Sequence, residues 1–137
     1  MVRFYFEYDF NLKKRRAVKL WLDAVANHEQ KAIQEVNIIF CNDDYLLEKN
    51  IKYLKHNTLT DIISFDYSHA ELISGDMFIS IERVTENAQT LGQPLTDELH
   101  RVMVHGLLHY CGYKDKSQEE KELMRVKEDY YLSLRTF

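Results

Sequence analysis

The sequence predicts an α+β fold. A single domain would hold a sheet of about four strands, an antiparallel pair among them, with helices packed on it and a metal-binding helix in the C-terminal half. Three observations predict it. Short runs near the N-terminus and in the middle of the chain alternate or concentrate apolar residues as strands do. Longer stretches between and after them carry apolar residues at i, i+3 and i+4, the spacing of a helix with one buried face. The runs 61–66 and 76–81 are joined by too few residues for a crossover helix, which makes them an antiparallel pair.

Taken in order, Val2, Phe4, Phe6 and Tyr8 alternate with Arg3, Tyr5 and Glu7 and predict the first strand. Val18, Trp21, Leu22 and Val25 mark the inner face of a helix from about Lys13 to Asn27. Residues 35–40 read as the second strand. Asn42 can cap the next helix, with Asp43 and Asp44 well placed at its positive end. That helix should turn Leu47, Ile51 and Leu54 inward and end in the polar loop 55–58. The antiparallel pair follows, then a helix from about Glu82 to Thr90, then a helix introduced by Pro94. Ser117 and Glu120 form a capping box that opens the last helix, with Leu123, Val126, Tyr130 and Leu134 expected inward.

At 137 residues one domain over 1–137 can bury roughly two-thirds of its unfolded surface. Four glycines and one proline leave little room for long linkers, and there is no internal repeat. The opening residues Met1 to Glu7 interrupt their apolar run with charge and do not read as a signal peptide. No apolar run reaches membrane-span length. Cys41 and Cys111 sit in apolar surroundings and suit the reduced thiols of a cytoplasmic protein.

Chemistry concentrates in His105-Gly106-Leu107-Leu108-His109-Tyr110-Cys111-Gly112-Tyr113-Lys114-Asp115. On a helix His105 and His109 leave the same face one turn apart, so one divalent ion can take a nitrogen from each. Gly112 can adopt the positive φ that reverses the chain after a helix. Asp115, three residues on, can swing back as a third ligand. Two histidines and a carboxylate leave positions open for water and substrate, which is the pattern of a catalytic site. The helix is apolar around most of its circumference, through Leu99, Val102, Met103, Gly106, Leu107 and Tyr110 and again through Val104 and Leu108. Glu98, Arg101, His105 and His109 fill the remaining strip, and a polar strip on a buried helix needs partners or a wet cleft.

Hydrolysis is the default reaction of such a site, because a zinc-like ion activates water and polarises a carbonyl or phosphoryl oxygen. The spacing resembles metzincin proteases, but those place a glutamate directly after the first histidine, and here that position is Gly106. A two-histidine, one-carboxylate set also suits Fe(II) oxygenases, although nothing else in the chain points to a co-substrate pocket.

These residues resemble the YbeY family of bacterial endoribonucleases and rRNA maturation factors, over most of the chain. The run from His105 to Tyr113 is similar to the family core, and Glu119, Glu120 and Met124 to the helix after it. Upstream, 59–65 and 75–80 resemble two family strands. The resemblance implies a cytoplasmic, metal-dependent endoribonuclease acting in rRNA maturation at the small-subunit 3′ end and in ribosome quality control. It implies one divalent ion, zinc by preference, on His105, His109 and Asp115, with RNA and the small ribosomal subunit as partners and no membrane. Alternatives are a non-catalytic assembly or RNA-binding factor with a structural metal, or a metal-dependent hydrolase of another substrate.

Two positions depart from the family pattern. The third ligand is usually histidine where this chain has Asp115, a harder oxygen donor. The family's functional arginine falls on Leu54, which cannot neutralise a phosphate. Lys55 and His56 are the adjacent candidates to bind substrate in its place. A net charge of −4 argues against a protein that coats nucleic acid generally, but the field that matters is local. Lys13, Lys14, Arg15 and Arg16 with Lys19 make the one dense basic cluster; such runs are most often solvated helix faces.

Overall fold

A computed structural model describes residues 1–54 and 59–137. The chain runs β1 (Val2–Phe6), α1 (Arg15–His28), β2 (Ala32–Cys41), α2 (Asp43–Lys49), β3 (Ile62–Asp66), β4 (Leu72–Ser80), α3 (Ile81–Leu91), α4 (Leu95–Tyr110) and α5 (Gln118–Ser133), with a wider π-type turn over Asn50–Leu54 after α2. The strands form one mixed sheet in the order β1-β2-β4-β3. β1 and β4 both run parallel to β2, and β3 lies antiparallel to β4 with Ile62 opposite Ile79 and Asp66 opposite Gly75. The α+β class, the four strands and the antiparallel pair are as the sequence predicts.

Strand alternation sorts the sheet into two faces. Val36, Ile38 and Phe40 of β2 and Ile73, Met77 and Ile79 of β4 join the main core, together with Val18, Trp21, Leu22 and Val25 of α1 and Leu99, Met103 and Leu107 of α4. The opposite face carries Phe78 and Phe65, which with Tyr45 cover a smaller cluster of Cys41, Leu46 and Ile63. α4 is the central helix. It packs on α3, α5 and α1 and along β3 and β4, so only one narrow strip of it meets solvent.

Caps follow the sequence. Asn42 accepts from the Tyr45 amide at 2.8 Å, and the Ser117–Glu120 capping box closes in both directions. α1 begins two residues later than expected, because Lys14 stands in the left-handed region with φ of 56°.

Two helix faces differ from expectation. In α5, Met124, Glu128 and Tyr131 are buried, whereas Leu123, Val126, Tyr130 and Leu134 are exposed. The helix is rotated because Glu128 finds ionic partners inside, and a well-paired carboxylate can then take a core position that the apolar pattern would assign elsewhere. In α2 and the turn after it, Leu46 and Asn50 face inward, while Ile51 and Leu54 are exposed. The π-type turn adds a residue per turn and so breaks the 3.6 period on which the inward row was counted.

Candidate metal centre

α4 delivers two of the three metal-ligand candidates. Its apolar circumference seats it deeply enough that Gly106, between the histidines, meets β3 and β4 directly. A Cβ there would lie 2.8 Å from Met77 Sδ and 2.9 Å from Ile62 Cδ1. A glutamate at that position has no room unless both side chains move. The helix ends at Tyr110, and Gly112 (φ 104°) turns the chain back so that Asp115 meets the histidines.

The three groups converge. His105 Nε2 lies 3.0 Å from His109 Nε2 and 3.1 Å from Asp115 Oδ2, and His109 Nε2 lies 3.4 Å from the same oxygen. Zinc–ligand bonds near 2.05 Å at tetrahedral angles place neighbouring donor atoms about 3.3 Å apart, so the triangle matches one face of such a polyhedron. Among the described residues this is the one group of three or more His, Cys, Asp or Glu side chains so arranged.

The other ring nitrogens decide what the triangle is. His109 Nδ1 stands 2.9 Å from the Tyr113 carbonyl, which can only accept, so Nδ1 carries the proton. His105 Nδ1 stands 2.6 Å from Glu128 Oε2, a carboxylate oxygen, and donates to it likewise. With each neutral ring protonated at Nδ1, both Nε2 atoms present lone pairs, and they face each other and a carboxylate oxygen. Three acceptors at contact distance require a cation among them. A proton can serve. Burial works against a charged His105, but the hydrogen bond and charge of Glu128, with Asp115 and Asp61, raise its pKa above the ordinary histidine value.

A second layer holds the two imidazoles. Glu128, buried on α5, also accepts from Arg101 Nη1 at 3.0 Å, and Arg101 Nη2 reaches Asp129 at 2.7 Å. Tyr113, whose carbonyl orients His109, donates its hydroxyl to Glu29 Oε1 at 2.7 Å; Tyr131 donates to the other Glu29 oxygen. Burial tends to raise the Glu29 carboxyl, yet these two hydroxyls, with Lys127 and His28, hold it below the usual carboxylate range. The residues after α4 are thereby tied to the C-terminal end of α1.

Beside the triangle lies a cavity of about 360 Å³ between α4, α5 and the start of β3. His105 and Asp115 stand on its wall with Asp61, Glu98, Arg101, Lys121, Arg125 and Glu128. Glu98 is only 6 % exposed and its side chain makes no hydrogen bond or ion pair with the described residues, while the residue lines the cavity. Burial raises the pKa of both Glu98 and Asp61.

His105, His109 and Asp115 are thus brought together as the spacing predicts. Lys55 and His56 lie outside the described residues. Leu54 is exposed, at 42 %. None of Lys13 to Lys19 lines the cavity. Part of that cluster serves the fold instead: the Arg15 guanidinium sits 4.5 Å from the centre of the Phe6 ring and Lys19 Nζ 5.4 Å from that of Phe4. Sequence reasoning missed Glu128, Asp61 and Tyr113. A glutamate four residues after Met124 on the apolar-facing row of α5 was the available signal for Glu128, since a charge in a buried row implies a buried partner.

The sequence profile of the family described as Endoribonuclease YbeY matches residues 7–135. The chain is similar to an Endoribonuclease YbeY of Flavobacterium psychrophilum, 53% identical over 134 residues that cover 98% of this chain and 96% of that one. It is similar to one of Cytophaga hutchinsonii at 51% identity, with 98% and 96% covered. In fold it resembles the solution structure of a protein from Thermotoga maritima, with a TM-score of 0.69 at 24% identity over 97% of this chain and 87% of that one. The chain belongs to the endoribonuclease YbeY family.

Proposed function

We propose that the chain, as one domain over 1–137, is a metal-dependent endoribonuclease of rRNA maturation, acting in the cytoplasm at the 3′ end of the small-subunit rRNA and in ribosome quality control. One divalent ion, zinc by preference, is held by His105, His109 and Asp115, and RNA of the small ribosomal subunit is the substrate. The observation that carries this reading is the triangle of three acceptor atoms, with both Nδ1 protons committed elsewhere. Family membership supplies the substrate class.

The ion would supply Lewis acidity toward a phosphoryl oxygen and a more acidic water. The chain's own groups do the rest. Glu128 and the Tyr113 carbonyl fix the imidazole tautomers and ring planes, which keeps both Nε2 lone pairs aimed at one point. Glu98 and Asp61, both raised by burial, are able to keep or release a proton in the cavity where the phosphodiester lies. Gly106 leaves no carboxylate where a metzincin-like general base would stand, which argues against peptide hydrolysis by that route.

The test compares wild type with His105→Ala, purified identically, on single-stranded and structured RNA. Metal is measured by elemental analysis of protein never exposed to chelator. About one zinc per chain, slow cleavage stopped by chelator and no cleavage by the variant are the expected results. Equal cleavage by both proteins would assign the activity to a contaminant and leave an assembly factor with a structural metal.

A further inference from the structure

We infer that Lys121 and Arg125, one turn apart on α5, form the anion subsite of the cavity and hold an RNA backbone phosphate next to the bond that is cut. The inference rests on the endoribonuclease reading and deepens it, by naming the groups that grip the substrate.

The cavity wall carries three described cations, and their commitments differ. Arg101 is spent on structure: its two terminal nitrogens bond Glu128 at 3.0 Å and Asp129 at 2.7 Å. Arg125 has a side chain 57 % exposed, and its nearest carboxylate is Glu128 at 4.0 Å, the outer limit of an ion pair. The oxygens of Glu128 are already taken by Arg101 and His105. Lys121 makes no ion pair with the described residues, and it lines the same cavity. Positions 121 and 125 are i and i+4 on a helix, so the two charges share a face, and like charges at that spacing cost free energy in the unliganded protein. A phosphate bridging them removes that cost.

Of the cavity's acids, Glu128 is paired with Arg101 and His105, and Asp115 faces the two histidines rather than Lys121 or Arg125. A wall with two uncommitted cations, beside the carboxylate and imidazole of the metal triangle, suits a polyanion that passes over the triangle and continues along α5. The basic cluster at Lys13 to Lys19 is not on this cavity, so it offers no competing grip at the same place.

The probe is a fluorescein-labelled, 2′-O-methylated single-stranded oligoribonucleotide, which binds without being cut, titrated by anisotropy across a range of KCl concentrations. The K121Q/R125Q double variant is compared with wild type, both metal-loaded, with thermal melts and metal content recorded for each. Both positions are exposed, so fold and metal content should match wild type. Binding should weaken about tenfold or more at physiological salt, and the log–log salt slope should fall by about 1.4, two contacts at about 0.7 each for single strands. On cleavable RNA, KM should rise more than kcat falls. Arg125→Lys alone should retain most of the binding. Millimolar inorganic phosphate should displace the probe from wild type only at concentrations far above that of the RNA; displacement at equal phosphate concentration would make this a free-phosphate site and overturn the RNA assignment. A double variant that binds with wild-type affinity and slope, while wild type cuts RNA, overturns the inference and leaves the endoribonuclease reading intact. Wild type that neither binds nor cuts RNA overturns both.

Discussion

Glu128 of α5 places a carboxylate oxygen 2.6 Å from Nδ1 of His105 of α4, across the interface of the two helices. The contact fixes three properties of the site at once. It protonates the imidazole on the side away from Asp115, sets the ring plane, and makes Nε2 a stronger donor to a cation. Arg101 takes the second Glu128 oxygen, so the carboxylate is held from both sides. A network in which each member fixes the next keeps its geometry without a bound ligand.

Removing that carboxylate should therefore act on the metal before it acts on the fold. Glu128→Gln keeps an acceptor for His105 and should lower metal affinity about tenfold, while Glu128→Ala should lower it about 100-fold. The alanine variant also leaves Arg101 paired with Asp129 alone and should lose about 2 kcal/mol of stability, the loss of hydrogen bonds to a charged group. Competition with a chromogenic chelator reads the first effect and urea unfolding the second. Wild-type metal affinity in Glu128→Ala would show that the contact orients nothing.

Asp115 closes the triangle with the two histidines. Asp115→His should keep one metal per chain, because the reach is preserved and the donor remains competent. Asp115→Ala and His109→Ala should each lose metal under dialysis that wild type survives. If Asp115→Ala retains its metal, two histidines suffice and the aspartate is a solvated turn residue.

The two glycines at the contact of α4 with β4 should respond differently to alanine. At Gly75 an added Cβ would meet the Phe65 carbonyl oxygen and the Tyr110 hydroxyl, each at 2.6 Å, and backbone cannot give way cheaply. Gly75→Ala should cost about 2 kcal/mol or more. At Gly106 the obstacles are the ends of the Met77 and Ile62 side chains, which can turn aside, and alanine gains helix propensity of about 1 kcal/mol. Gly106→Ala should stay within about 1 kcal/mol of wild type. Equal losses in urea titrations would mean that α4 does not approach β4 as closely as described.

Acid should weaken the fold through His100. It is 3 % exposed, its ring lies against those of Trp21 and Phe137, and its Nδ1 accepts from Arg135 at 2.7 Å. Burial first and the Arg135 charge second push its pKa down to about 4, against a weaker pull upward from Asp97. The folded value lies below the unfolded value of about 6.5, so this contribution is complete above pH 6.5 and is lost as the pH falls toward 4. His100→Gln should lose less stability over that window than wild type, by about 1 to 3 kcal/mol. The metal-site histidines are common to both proteins, so the difference isolates His100. Parallel pH–stability curves would show that His100 is not buried as a neutral ring.

The strands and helices were readable wherever one periodicity ran unbroken and one face was simply apolar. α1 and α4 met both conditions, and the apolar residues expected on their inner faces are buried: Val18, Trp21, Leu22 and Val25 in one, Leu99, Val102, Met103, Gly106, Leu107 and Tyr110 in the other. α5 did not. Its sequence offers two candidate rows, and the more apolar one, through Leu123 and Val126, faces water, with Val126 63 % exposed. The row that won holds a glutamate. What reversed the choice is Arg101 and His105, two residues that lie more than twenty positions away in sequence and are invisible to any local pattern.

The same division runs through the site. The sequence by itself determined the candidate triad, because His105 and His109 are related by one helical turn, Gly112 permits the reversal and Asp115 follows within reach; all of that is local geometry. It also determined the absence of a carboxylate between the histidines. Only the tertiary structure decided which nitrogen of each ring is free, since Glu128 and the Tyr113 carbonyl had to be in place first. The tertiary structure also decided which cations face the cavity: Arg101 from α4 with Lys121 and Arg125 from α5, and Lys13 to Lys19 elsewhere. Ligand spacing is set within a few residues of chain. Tautomer, burial and charge balance are set by groups that meet only when the helices pack.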